Sequence, residues 1–435
     1  MQHGRLLRVL GIGFGLAATI GTTIGAGIFR APGEVASQLP DRTLYLIAWF
    51  TGGLFALLGA FQIAELGAML PRSGGQYVFA RHALGEYAGF VVGWSDWIST
   101  CGTTAAVSIV IGEFSDALFP AVQGSATSIA ILVAVVFAAI QWRGIRWGSA
   151  TQNVTSALKA AAFVALCAAS FTLGGDHTAA APNAVLPASR LALLTAFLLA
   201  LQSVVYTYDG WTGPVYFSEE LRDPGRDLPR SVIGGVLAVI ALYLVVNLAF
   251  LHVLPVTRLA GEAFAAGAVA AAVFGPSGDT ILRALTIVSM LSAVNADHLM
   301  ASRVLFAMSR DGLFSPRAAY VNDGGTPTVA LLLSAAVAIL FIVAGRTFQA
   351  VITVLAFFFV ANYAISFVSL VVLRIREPAR ERPYRAWGYP WTTGLALVGA
   401  IGFLGGAIAG DTRHSVYALL VLAVSYPVFR LMKPR

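Results

Sequence analysis

Apolar residues in this chain come in runs rather than in alternation. Stretches almost free of charge follow one another, separated by short polar segments rich in arginine, proline and glycine. The hydrocarbon core of a bilayer takes about 20 consecutive apolar residues in helical form, so each such run predicts a transmembrane helix. Twelve are expected, near 9–38, 43–70, 86–119, 126–142, 147–173, 190–221, 230–254, 281–312, 327–344, 347–374, 390–410 and 413–431. A shorter apolar piece, Ala263 to Phe274, is too brief to span and is expected at the surface in a long outer loop. The first apolar segment is long and no small-residue cleavage site follows it, so it is read as a retained span.

Two of these spans are interrupted at mid-depth. The first reads GTTIGAGIFRAP from Gly21 to Pro32, with glycines at 21, 25 and 27. Glycine is a weak helix former and proline disrupts helix interiors, so a break is expected there. Unsatisfied backbone in hydrocarbon is costly, so an unwound segment persists only where it faces protein, water or a ligand. Packing glycines are the competing explanation, because Gly21 and Gly25 also form a GxxxG pair. The sixth span repeats the anomaly in VVYTYDGWTGP, where Asp209, Gly210, Gly213 and Pro214 interrupt the run. Breaks five spans apart fit an inverted repeat, since an odd offset reverses the second copy. Repeat one then covers about 9–173, repeat two about 190–374, and helices eleven and twelve about 390–431, in one transmembrane unit over 1–435.

Composition narrows the class. Of 435 residues 58% are hydrophobic and only 11% charged, and the mean hydropathy is +0.79. The soluble norm is about one quarter charged, so this is an integral membrane protein with the lipid bilayer as its surroundings. The net charge of +7 does not point to nucleic acid, because the basic residues are dispersed at the ends of apolar runs. Arginines and lysines recur on alternate sides, from Arg5 and Arg8 through Arg72, Arg143, Arg226, Arg310 and Arg376 to Arg430, Lys433 and Arg435, and these sides hold 20 of the 28 basic residues. Cytoplasmic loops accumulate Lys and Arg, which places both termini in the cytoplasm and requires an even number of spans. Cys101 and Cys167 each sit inside an apolar run, with neither a disulfide framework nor metal-ligand spacing, and are expected to pack. No cofactor or metal is expected, and no Ser/His/Asp constellation suggests an enzyme.

The motifs resemble a known family. TTIGAGIFRAPG is similar to the glycine signature in the first span of amino acid transporters of the amino acid, polyamine and organocation superfamily. YTYDGWTGPVYFSEELRDPGRDLPRSVIGG resembles the sixth span and following loop of its L-amino-acid transporter branch. AELGAMLPRSGGQYVFARHALGEYAGFVVGW and SRVLFAMSRDGLFSP fit the same superfamily. The resemblance implies an all-α membrane protein of twelve helices with a LeuT-like 5+5 inverted repeat, broken helices one and six and two further C-terminal helices. It implies amino acid transport by alternating access across the plasma (inner) membrane, as sodium-independent exchange. Proton-coupled symport or antiport of amino acids or polyamines is the alternative, and a transport-inactive amino acid sensor a third reading.

Residue by residue, the resemblance places the substrate carboxylate on the amides of Gly25, Ala26 and Gly27, and the ammonium on carbonyls of Thr23, Tyr206 and Asp209. Ile24, Tyr208, Gly210 and Trp211 complete the two broken segments. The physics agrees, since helix N-termini attract anions and exposed C-terminal carbonyls attract cations. The resemblance also puts Tyr206 in the place of an aromatic that covers the substrate from outside, with lipid or helix packing as the other role. Animal members are tied to a heavy chain through a cysteine between spans three and four. FPAVQGSATS has none, so no disulfide-linked heavy chain is expected.

Charges inside the membrane are expensive and mark function or pairing. Lys159 lies near the middle of span five and needs a counter-group. The resemblance implies that it replaces the sodium ion of ion-coupled relatives as a fixed cation contacting the first break. Proton carriage and a structural tie are the alternatives. The Asp209 carboxylate could meet a cationic substrate tail, although an Asp here occurs with both cationic and small neutral substrates. Asp96, Asp297 and His298 are further intramembrane ionisable groups, expected to line the cavity, relay protons or pair with an arginine. Glu65, Glu219 and Glu220 adjoin basic loops and are assigned to gating or ion pairs.

Overall fold

The computed structural model describes residues 6–174, 186, 189–345, 348–410 and 412–432. Arg5, Lys433 and Arg435, and position 347 where the tenth span is expected to begin, lie outside them. The described residues form sixteen α-helices: α1 (Ile12–Thr23), α2 (Gly27–Gln38), α3 (Arg42–Met69), α4 (Gln76–Leu84), α5 (Glu86–Leu118), α6 (Ala126–Trp142), α7 (Ile145–Leu173) and α8 (Arg190–Tyr208). They continue as α9 (Pro224–Val253), α10 (Val256–Leu259), α11 (Ala265–Phe274), α12 (Gly278–Arg310), α13 (Thr328–Gly345), α14 (Phe348–Arg376), α15 (Trp391–Gly410) and α16 (Thr412–Met432).

Local chemistry explains the boundaries. Asp41 caps α3 by accepting the Leu44 amide at 2.9 Å. In DPGRDLP, Asp223 accepts the Arg226 amide and Pro224 takes the first helical position, where its missing N–H is no loss. The Ser-Gly-Gly before α4 turns through Gly74 and Gly75, both at positive φ, so the loop after α3 becomes a short helix that the apolar runs alone did not predict.

Among the described residues eight helical stretches are long and apolar enough to cross a membrane, or nine when the α1–α2 pair, bent by 45°, counts as one span. Three shorter apolar helices, α6 and the stretches Trp391–Gly406 and Ala418–Met432, fall at the remaining expected positions. At 17 residues α6 is about 25 Å long, at the lower limit for crossing.

The bundle turns apolar side chains outward. Leu132, Val154, Leu191, Leu340 and Val398 are all exposed, as suits a protein whose solvent is hydrocarbon. The central spans are α5 and α12, which pack along each other and are buried for most of their length; α7, α8 and α13 are mostly outward-facing. Helix α1 runs through the middle against α7, α9 and α12. The segment from Ala263 to Phe274 departs from expectation. As α11 it buries Ala265, Ala266, Val269 and Ala270 against α2 and α12 rather than lying loose at the surface.

The end of the bundle that carries most arginines is tied by ion pairs. Glu220 and Arg303, both fully buried, form a two-pronged pair at 3.0 and 3.1 Å. Glu65 holds Arg374 and Arg382, Glu219 holds Arg310, and Asp311 holds Arg72 and Arg81. The three glutamates singled out in the sequence are thus all in ion pairs. A parallel bridge between Leu10 and Leu221 joins the chain before α1 to the end of the second broken segment.

Candidate functional site

Helix α1 stops at Thr23, which leaves its last carbonyls without intrahelical partners. Those of Gly21 and Thr23 find others. The Ile20 carbonyl keeps the last i+4 bond, from the Ile24 amide at 3.0 Å, and the Thr23 carbonyl accepts the Gly25 amide at 2.8 Å, closing a tight turn around Ile24. The Gly21 carbonyl accepts Lys159 Nζ at 2.9 Å, and the same ammonium reaches the Ile24 carbonyl at 2.5 Å. Lys159 is fully buried, and its charge lies at the negative end of α1. On the far side of the break α2 begins at Gly27, and the amides of Ala26, Gly27 and Ile28 have no backbone acceptor among the described residues. The available donors are therefore shifted by one from expectation, because the Gly25 amide is already used.

The second interrupted span stands beside the first. Helix α8 ends at Tyr208, Asp209 is extended, and Gly210 has a φ of +104°. The chain then resumes as a 3₁₀ segment, Gly213–Glu220, rather than an α-helix. Gly210 has no alternative at this position, since a Cβ would lie 2.7 Å from the Thr22 carbonyl carbon in a backbone region that side chains disfavour. The Thr22 hydroxyl lies 2.7 Å from the Gly210 carbonyl, within donating reach across the two breaks. Tyr243 of α9 adds a clamp, its hydroxyl 2.8 Å from the Thr23 carbonyl and 3.2 Å from that of Thr207. A Cβ on Gly27 would meet the Thr207 backbone at 3.0 Å. The GxxxG pair divides in function. Gly21 is closely packed against Gln152, Ser156 and Ser292, whereas Gly25 has open space where a side chain would be.

Two adjoining cavities of about 50 Å³ each open at this crossing. Thr22, Thr103, Asp209, Asp297 and Phe359 line both. The first is completed by Thr23, Gly25, Ala26, Gly27 and Tyr206, so the α2 amides and the aromatic face one space. The second extends toward the arginine-rich end and includes Asp96, Gly210, Tyr216 and Tyr363. Thr23 Oγ1, Thr103 Oγ1, Asp96 Oδ2 and Asp297 Oδ2 are buried on these walls without a protein partner. Among the described residues no group of three or more His, Cys, Asp or Glu side chains could hold a metal ion.

Several other sequence candidates lie off the cavity walls. Tyr208 is buried in an aromatic cluster with Trp49 and Tyr243, and Trp211 stacks on Tyr363 at 4.9 Å behind the cavity wall. Ile24 contributes its carbonyl to Lys159 rather than a surface to the cavity. His298 is buried against the Ala134 backbone and reaches neither cavity. Asp96 accepts the Tyr216 hydroxyl at 2.8 Å and Asp209 accepts that of Tyr363, so neither is paired with an arginine. Sequence reasoning missed Thr22, Tyr243 and Ile28. For Tyr243 a signal existed, since tyrosines favour the membrane interface and this one sits in the middle of an apolar run.

A polar pocket at membrane depth, walled by unwound backbone from two facing spans, defines a membrane carrier rather than an enzyme or a pore. The sequence comparisons give the particular family: residues 15–426 match the amino acid permease model, and the chain belongs to that family of amino acid transporters, within the superfamily its motifs resemble. It is 29% identical over 440 residues to the serine/threonine exchanger SteT of Bacillus subtilis (strain 168), covering 100% of this chain and 99% of that one. It is also 26% identical over 386 residues to the human b(0,+)-type amino acid transporter 1, and 26% over 394 residues to the human large neutral amino acids transporter small subunit 2. Each of these matches covers 87% of this chain, with 79% and 72% of the relative.

Proposed function

We propose that the protein exchanges one amino acid for another without sodium, by alternating access in a LeuT-like bundle of twelve spans. Spans one to five and six to ten form the inverted repeats. Both termini face the cytoplasm of a plasma (inner) membrane, and no disulfide-linked heavy chain takes part. The substrate carboxylate rests on the free amides at the start of α2, aided by the helix dipole. Its ammonium rests on the Thr23, Tyr206 and Asp209 carbonyls, and Tyr206 covers it. A carbonyl oxygen has two lone pairs, so Tyr206, which accepts only the Asp209 amide, has capacity for a ligand, while Thr23 gains it when the single Tyr243 proton turns to the Thr207 carbonyl.

The observation that carries this reading is the contact of Lys159 with the carbonyls of Gly21 and Ile24. On this reading the lysine ammonium stands in for a driving cation at the first break. The serine/threonine exchanger among the relatives supports exchange as the mode. The test is a trans-stimulation screen in proteoliposomes, with the twenty amino acids plus ornithine inside and a labelled amino acid outside. Uptake should depend on internal amino acid and be indifferent to sodium. Uptake into empty vesicles driven by an imposed proton gradient would replace exchange with proton coupling, and binding without accumulation would indicate a sensor.

A further inference from the structure

We propose that the cavity on the arginine-rich side of the crossing is a side-chain subsite for a basic amino acid such as lysine or ornithine, held by Asp96 and Asp297 with Asp209 between the two compartments. This rests on the exchange reading above and names its substrate class. Asp96 is 3% exposed and Asp297 4% exposed. Both line the cavity, and the Oδ2 atom of each has no protein partner. A carboxylate at membrane depth is costly, and buried charges are ordinarily paired. Here three carboxylates share one wall, and neither cavity is lined by a lysine or arginine. The nearby Lys159 donates its hydrogen bonds to the α1 carbonyls and acts on Asp297 through space, so its one charge leaves the three carboxylates in excess.

The neutral polar groups of the wall cannot substitute for a cation. Asn362 Oδ1 accepts the Ser95 hydroxyl at 3.0 Å, and Gln76 Oε1 accepts that of Ser366 at 3.0 Å. Tyr216 and Tyr363 donate to Asp96 and Asp209 and hold those carboxyl groups in place. The unpartnered Thr23 and Thr103 hydroxyls on the walls are donors but carry no charge, whereas a primary ammonium brings three donors and a positive charge to the carboxylates. The two compartments adjoin and share five lining residues. The first suits the α-carbon with its carboxylate and ammonium, and the second suits the rest of a linear side chain. Asp96 lies seven residues, about 10 Å of helix, nearer the Glu86 end of α5 than Thr103, so such a chain would extend along the bundle axis. This substrate class differs from the one in the printed name of the Bacillus subtilis relative.

The experiment compares L-lysine, its uncharged analogue L-norleucine and L-serine in exchange by the full-length protein in proteoliposomes. Lysine should exchange with a KM at least tenfold below that of norleucine. In Asp96→Asn and Asp297→Asn that preference should fall at least tenfold, and Asp297→Glu should restore part of it. Fluorescence-detected size exclusion checks that each variant is folded, and the wild-type comparison stands without any variant. Exchange of serine with no preference for lysine over norleucine would overturn the subsite and leave amino acid exchange intact. Lumen acidification during serine uptake that disappears in Asp297→Asn would assign the carboxylates to protons and also overturn it. If none of the three amino acids moves, the exchange reading fails and the subsite falls with it.

Discussion

Replacing Lys159 by methionine, which keeps most of the stem and removes the charge, tests how the first break is held. The ammonium satisfies two buried carbonyls, of Gly21 and Ile24, which belong to the end of α1 and the turn after it. Leaving a buried acceptor unsatisfied costs about 1–3 kcal/mol, so two give about 2–6 kcal/mol against the observed arrangement. The lower figure alone corresponds to roughly a 30-fold shift in an equilibrium. The cost falls at the proposed carboxylate site, because the turn at Ile24 positions the free amides of Ala26, Gly27 and Ile28. Lys159→Met should therefore raise the Kd for substrate at least tenfold and slow exchange. The folded protein should still be recovered in detergent, since most of the core lies elsewhere. Isothermal titration and trans-stimulated uptake measure the two effects. A variant with Kd within threefold of wild type and an unaltered exchange rate would refute the reasoning and reduce Lys159 to a passive buried group.

Four further outcomes are expected. Gly27→Val should abolish binding in folded protein, because its Cβ meets the Thr207 backbone at 3.0 Å and pushes α2 away from α8; normal uptake would remove the amide site from consideration. Gly210→Ala should be strained by about 1–3 kcal/mol from its φ of +104°, beyond the clash with Thr22, and should show a lower melting temperature together with lost exchange. Tyr243→Phe removes one hydroxyl shared by the two breaks and should weaken substrate binding by roughly 1–2 kcal/mol, measured as a Kd ratio against wild type. Arg303→Met should destabilise by about 3–5 kcal/mol because it strands the Glu220 charge, and the double variant with Glu220→Gln should recover much of that loss in a thermal-shift assay.

Local signals were strongest where one residue type had one physical reason to be there. Glycines at 25, 27 and 210 foretold interruptions, and each interruption is present. A lysine in mid-membrane foretold a partner, and its partners are carbonyls of the broken helix. Reading along the chain was less informative about direction. Tyr208 and Trp211 sit in the same motif as Asp209 yet face a packed aromatic cluster and the back of the wall. Helical rotation by a residue or two decides which neighbour meets the cavity, and that rotation is set by packing against α3 and α14. The internal bond of the Gly25 amide was hidden for a similar reason, as its contact with Thr23 depends on the turn the backbone takes at Ile24.

Hydropathy alone determined that this is a multi-spanning membrane protein, because apolar length and the scarcity of charge leave no other place for such a chain. The positions of the two interruptions were likewise written in glycine and proline, whose backbone preferences are local. Tertiary structure decided which atoms are left over once the helices have packed. The amides of α2 and the carboxylates of Asp96 and Asp297 come together from segments far apart in the chain, and whether a polar atom is satisfied depends on every neighbour around it. Availability for a ligand is a property of the assembled surroundings, so it emerges only when the spans are placed side by side.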